Sequence, residues 1–259
     1  MANIMMAMPD SDSGTVSGPN QGGYIETNLQ EMQPTRTWRS TNSTATLTFD
    51  FGAGNPTTPI NFVGLLFTNM LEGDTWQITA GAYDSGVMTL TADDVGDYIP
   101  PDYRPHLLHY IPAGVQQQNW SISLTTAQSY IEAGRLYISS GLVPTLNASY
   151  GYQIGWSDPS AKQMMLGGHT QVIDRVGGNR KRVSFALDYL TDLEFQEYFR
   201  YVDRNRGRAR DVMVIKDPED TEYRQDNSVY GLIDELRPFA FVRCNTYTHS
   251  KRYQVTELI

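Results

Sequence analysis

A mainly β protein of two β-sandwich-like domains, the second carrying one helix, is what this sequence predicts. The first observation is a period of two: Trp120, Ile122 and Leu124 alternate with Ser121, Ser123 and Thr125, and Leu136 and Ile138 alternate after Gly134. A half-buried strand requires that spacing. The second is composition. Among 259 residues there are 22 Gly, 13 Pro and 16 Tyr, with few Lys and many Thr, Ser and Asn, which favours sheets joined by tight turns over a helical bundle. The third is length, enough for one large domain or two modest ones, each with its own core.

Residues 1–23 are rich in Met, then in Asp, Ser, Gly and Pro, without periodicity. They read as a flexible arm, or one that orders only against a neighbour. Residues 24–142 form the first domain, with strands at 46–52, 60–69, 75–80, 119–125 and 130–141. Between 92 and 112, Pro100, Pro101, Pro105 and Pro112 predict a long loop that no central strand could hold. The turn-rich segment 141–147 is a hinge, and residues 143–259 form the second domain. There Tyr150, Tyr152, Ile154 and Trp156 share a face, and Gly177-Gly178-Asn179 joins a hairpin whose second arm begins at Arg180. Thr191 and Glu194 fit a capping box opening a helix over 191–206, with Phe195, Phe199 and Val202 as its apolar stripe and Gly207 as its stop. Strands follow at 211–216, 229–233, 239–243 and 252–258, with a turn at 217–220.

Candidate chemistry is sparse. The net charge of −9 is unevenly placed: residues 1–100 hold eleven acids against two bases, whereas residues 175–259 hold fourteen acids against fifteen bases. An acidic front half repels phosphates and argues against nucleic acid. No apolar run approaches the ~18 residues of a membrane span, and the N-terminus lacks the basic flank of a signal peptide. The expected site of folding is therefore a cytoplasm. Cys244 is the only cysteine, which excludes an internal disulfide and reads as a small buried residue. His106 and His109 would share a metal only on a helix, which Pro105 and Pro112 disfavour. Asp10-Ser-Asp-Ser-Gly14 mimics the start of a calcium loop but lacks its distal Glu, so a solvated tail is expected. Asp93, Asp94 and Asp97 read as an acidic loop, not as the paired carboxylates of a glycosidase. Ser157 lacks the glycine frame of a nucleophile elbow. No catalytic, metal or cofactor residue is assigned. Arg204, Arg206, Arg208 and Arg210 form the one basic cluster, which reads as a solvated helix end offsetting the helix dipole or as a candidate protein interface, with nucleic acid the least favoured partner. Trp38, Trp76, Tyr83, Tyr98 and Tyr103 are candidate sugar-stacking aromatics, although Trp76 and Trp120, lying in alternating strands, read as core.

The strings Thr46-Leu-Thr-Phe-Asp-Phe-Gly52, Ile60-Asn-Phe-Val-Gly-Leu-Leu-Phe-Thr-Asn69, Thr75-Trp-Gln-Ile and Tyr130-Ile-Glu-Ala-Gly-Arg-Leu136 resemble the galactose-binding or discoidin-like jelly roll. Members of that family often hold a structural calcium. Continued through Pro144, Asn147 and Gly151, the sequence resembles structural proteins of tailed bacteriophages, including distal tail and baseplate proteins. The second half, with its helix and later strands, resembles their tail-tube-like domain, although in those proteins that domain comes first. The resemblance implies a non-enzymatic virion part, assembled in the host cytoplasm as a ring, six-fold by likeness. It would join other tail proteins, with host glycan as a further partner. The alternative is a carbohydrate-binding module that recognises host-surface glycan.

Overall fold

The computed structural model describes residues 3–52, 54, 56–95, 104–149, 151–158, 160–164, 170–173, 179–244 and 247–258. The chain is mainly β and divides into two compact units. Unit 1 comprises Met1–Asn147 and Arg210–Ser228; unit 2 comprises Ala148–Ala209 and Val229–Ile259.

Unit 1 is a sandwich of antiparallel sheets. One sheet runs in the order Thr15–Ser17, Thr44–Asp50, Asn119–Thr125, Thr75–Ala80, Tyr83–Asp84. In the central pairing, Trp120 lies opposite Phe49, Ile122 between Leu47 and Ile78, and Leu124 between Ala45 and Trp76. The alternate residues, Ser121 and Ser123, face Thr48, Thr46, Thr79 and Gln77 on the solvent side. A register slip of one residue would turn every one of these apolar side chains to water, so the pairing is fixed by burial. The second sheet orders Arg135–Ser139, Ile60–Leu66 and Leu107–Val115. Val63, Leu65, Leu107, Ile111, Leu136 and Ile138 face the first sheet across a single core.

Residues expected to form a flexible arm are part of this unit. Met5–Ala7 is a strand, antiparallel to Asp211–Ile215, with Met5 opposite Ile215 and Ala7 opposite Met213. Met6 also exchanges two backbone hydrogen bonds with Leu142, of 2.9 and 2.8 Å. Ile4, Met5, Met6, Ala7 and Met8 are all buried. A strand covered on both faces shows no alternation, which is why the Met run carried no strand signal. Nor is the Asp10–Gly14 stretch a solvated tail. Asp10 accepts hydrogen bonds from the backbone N–H and hydroxyl of Ser140, both at 2.8 Å. Asp12 pairs with Arg135 at 2.7 Å.

The segment 210–228, expected in the second domain, belongs to the first. Asp211 lies in the buried Arg135 network, and Arg224 donates to the Leu108 carbonyl. The proline-rich segment also departs from expectation, because Leu107–Val115 is a strand with Pro112 inside it. Between its pairings with Phe62 (Tyr110) and Ile60 (Val115) the register shifts, and Gly114 sits at φ 64°. Pro112 is thus accommodated in a bulge of a strand at the sheet's edge, where no ladder hydrogen bond is lost.

Unit 2 is built on a sheet in which Ser228–Ile233 pairs with Tyr247–Glu257, that strand with Arg180–Thr191, and that one with Gln153–Ser157. Ala240–Cys244 adds to Tyr247–Glu257, and Ala161–Met164 pairs with Thr170–Ile173 as a separate ribbon. The helix opens on the reciprocal cap that the sequence indicates. Glu194 Oε2 accepts from the Thr191 N–H (2.7 Å) and hydroxyl (2.8 Å), while Thr191 Oγ1 accepts from the Glu194 N–H at 3.2 Å. Its first stretch, Glu194–Phe199, is π-helical and Arg200–Asn205 is α-helical. Gly207, at φ 56°, turns the chain out of the helix. Phe199 and Val202 are buried, whereas Phe195 is half-buried and stacks on His249 at 3.9 Å. The π turn rotates Phe195 away from the stripe that a regular helix would give it. The predicted Gly177–Gly178 turn lies outside the described residues.

Candidate functional site

In unit 1 the structure forms a groove of about 540 Å³. Its floor is the Trp76 edge and strand residues Leu107–Tyr110; one wall is Met88–Thr91 with Asp93 and Asp94, the other the Pro218–Arg224 turn. Each wall is fixed by local hydrogen bonds. Asp94 Oδ2 accepts from the Thr91 N–H and hydroxyl at 3.0 and 2.9 Å, which closes the short Ala92–Val95 helix on itself. Asp220 Oδ1 accepts from the N–H groups of Glu222 and Tyr223, both at 3.0 Å, and shapes the opposite turn.

Two side chains bring polar chemistry into the groove. Arg224 donates from Nε to the Asp220 carbonyl (2.7 Å) and from Nη1 to the Leu108 carbonyl (2.6 Å). Both anchors are backbone, so the guanidinium is held in place, and among the described residues Nη2 has no partner. Burial draws its pKa down, opposed by Asp94, Asp220 and Asp217. His109 meets the Tyr83 hydroxyl through Nε2 at 2.6 Å and lies edge-on to Trp76, 6.2 Å between centroids. Burial first and the Arg224 charge second push the His109 pKa down to about 4, so the ring is neutral at pH 7. A neutral imidazole has one donor and one acceptor nitrogen, and Tyr83 occupies one of them. Tyr110 and Thr89 complete the lining with hydroxyls, and Asp93, Glu219 and Glu222 with carboxylates.

A pH dependence follows from His109. An unfolded histidine takes up a proton near pH 6.5, whereas folded His109 refuses it down to about 4. Over that window the unfolded state binds more protons, so this residue's contribution to stability falls as pH falls. It is fully restored above pH 6.5. The melting temperature of His109→Gln should therefore decline less than that of the parent between these limits. Equal declines would show that His109 titrates as an ordinary histidine.

Trp76 and Trp120 are core residues, and the edge of Trp76 also lines the groove. Trp38 is not a surface aromatic: it is fully buried and its Nε1 donates to the Pro19 carbonyl at 3.0 Å. Tyr83 is half-buried against His109, and Tyr98, Tyr103 and Asp97 lie outside the described residues. His106 and His109 do not converge. His106 Nδ1 accepts from the Phe67 N–H at 3.1 Å, while His109 turns to Tyr83. Among the described residues no group of three or more His, Cys, Asp or Glu is placed to hold a metal. Ser157 sits on an exposed strand. Arg204, Arg208 and Arg210 are exposed and Arg206 is half-buried. Cys244 ends a strand, and its side chain lies outside the described residues. Arg224 is the groove residue that sequence reasoning missed, because nothing in Thr-Glu-Tyr-Arg-Gln distinguishes it from a solvated turn.

No known family matches the sequence, and no curated protein does. Solved structures align with about half of the chain. The family 32 carbohydrate-binding module from C. perfringens NanJ, solved with galactose, is 9% identical over 52% of this chain and 99% of that one, with a TM-score of 0.38. A mutant of the lectin binding domain of Lectinolysin, complexed with Lewis b, is 10% identical over 51% and 97%, TM-score 0.37. SpGH29 is 14% identical over 51% of this chain but only 28% of its own, TM-score 0.39. These neighbours are a carbohydrate-binding module, a lectin domain and a longer protein of which this chain matches about a quarter.

Proposed function

We infer that this chain is a non-catalytic binding protein whose unit 1 takes a carbohydrate in the Trp76–His109–Arg224 groove. The groove itself carries the reading. Recognition of a sugar needs fixed donors, fixed acceptors and an apolar surface in one concave site. Arg224 supplies donors on a rigid support, the second His109 nitrogen a donor or an acceptor according to its tautomer, Asp93, Glu219 and Glu222 supply acceptors, and Trp76 with Met88 and Leu90 supplies apolar surface. Its volume of about 540 Å³ suits a mono- or disaccharide. A glycan array probed with the protein and with Arg224→Ala tests it. Binding to a restricted glycan set, weakened roughly tenfold or more in the variant, is expected, since a buried polar contact is worth about 1.5–3 kcal/mol when charged. An array without signal, or one indifferent to the substitution, refutes the reading.

A second reading is a structural part of a phage tail, at the distal tail or baseplate, that joins neighbouring copies in a ring and other tail proteins. It rests on the sequence resemblance of the second half to tail-tube-like domains; the exposed Arg204, Arg208 and Arg210 would offer such a part a charged contact. A tail-tip protein that recognises host-surface glycan would satisfy both readings. Presence of the protein in purified virions would support the second.

A further inference from the structure

The strand Gln153–Ser157 at the end of the unit 2 sheet is exposed along its whole length. Among the described residues it is hydrogen-bonded on one side only, to Arg180–Thr191. Ile154 lies opposite Val183 and Trp156 opposite Lys181. Val183 and Lys181 are buried, so Ile154 and Trp156 continue the covered face of the sheet. Yet they are 42% and 61% exposed. Trp156 is supported from one side by the Lys181 ammonium, 5.6 Å from its ring. Natural edge strands are guarded against pairing by Lys, Pro or inward charges. Gln-Ile-Gly-Trp-Ser contains none of them.

We propose that this edge pairs with the same edge of a second copy of the chain, in antiparallel register about Gly155. The sequence is self-complementary in that register. Gly155 faces its own symmetry mate, each Ile154 faces the other copy's Trp156 on the apolar face, and each Gln153 faces a Ser157. Aromatic and β-branched residues make favourable cross-strand pairs, and the two contacts are identical, as a two-fold interface requires. A different protein's strand would gain the backbone hydrogen bonds but not this matching of Ile with Trp twice over. The contact is short, so the dimer is a weak one that forms at raised concentration. Two copies carry two grooves, and a multivalent glycan surface would then be held by avidity.

Gly155→Cys tests the register directly. An added Cβ there meets nothing within 4 Å, so the substitution is compatible with the fold. Paired residues in an antiparallel ladder sit about 4.5–5.5 Å apart at Cα, inside the range a disulfide spans. Mild oxidation should give a covalent dimer for Gly155→Cys. Gln153→Cys, whose mate would lie about 13 Å away along the strands, should give roughly tenfold less, and the parent chain with Cys244 alone serves as the background. Sedimentation should also show self-association that Trp156→Lys abolishes. Equal cross-linking at 153 and 155, no cross-linking above background, or association indifferent to Trp156→Lys would overturn the proposal. A head-to-tail ring joins two different surfaces and predicts no link between Gly155→Cys mates.

Discussion

Replacing Arg135 by Met is expected to destabilise unit 1 by about 3–5 kcal/mol, the usual cost of removing one partner of a buried ion pair. Arg135 is 1% exposed. Its Nε donates to Asp211 Oδ2 at 2.9 Å, which also accepts from the Tyr137 hydroxyl at 2.9 Å. Its other nitrogens reach Asp12 and the Leu29 carbonyl. Four separated stretches of chain thus meet on one guanidinium. Without it Asp211, itself 2% exposed, loses the cation that pairs with its Oδ2. Shape loss is small because Met fills similar space, so the effect isolates the charge. Adding Asp211→Asn to Arg135→Met should recover much of the loss, since the uncompensated anion is then gone. Urea denaturation of the single and double variants measures both. A single variant within about 1 kcal/mol of the parent would show that the network is solvated.

The second large effect is Phe199→Ala, expected to cost unit 2 about 3–5 kcal/mol as an emptied aromatic site. Phe199 is 2% exposed and packs on Tyr253, which in turn lies 5.7 Å from Phe185. This trio joins the helix to the two central strands of the sheet. Residues lost from the helix face are not replaced by solvent, because Val202 beside it is fully buried. Thermal unfolding that leaves unit 2 unchanged would mean that the helix is peripheral to its core.

Both sites show what was legible in the chain. Phe199 was readable because helix periodicity and the Thr191–Glu194 cap coincide, and the cap is present atom for atom. The Trp120, Ile122, Leu124 face was readable for the same kind of reason, one period matching one solvated surface. Arg135 was not. Its strand looks like any other closing strand, and only the fold brings Asp12 and Asp211 to it from opposite ends of the chain. The Met5–Ala7 strand was hidden by burial on both faces, and the return of 210–228 to unit 1 by its partner being that same strand. Of the groove, Trp76 and His109 stand out individually in the sequence, as does Tyr83 beside His109, and Asp93 and Asp94 stand out as an acidic loop. Their convergence with Arg224 depends on contacts across more than a hundred residues, as from Leu108 to Arg224, which local pattern does not encode.

Sugar binding in the groove of unit 1 is decided by nuclear magnetic resonance titration with galactose-containing and N-acetylglucosamine-containing oligosaccharides. Saturable shifts are expected in the backbone amides of Leu108, His109 and Tyr110 and of the 218–224 turn, with an indole shift from Trp76, all lost in Arg224→Ala. Shifts confined to unit 2, or none with any oligosaccharide at millimolar concentration, would contradict it.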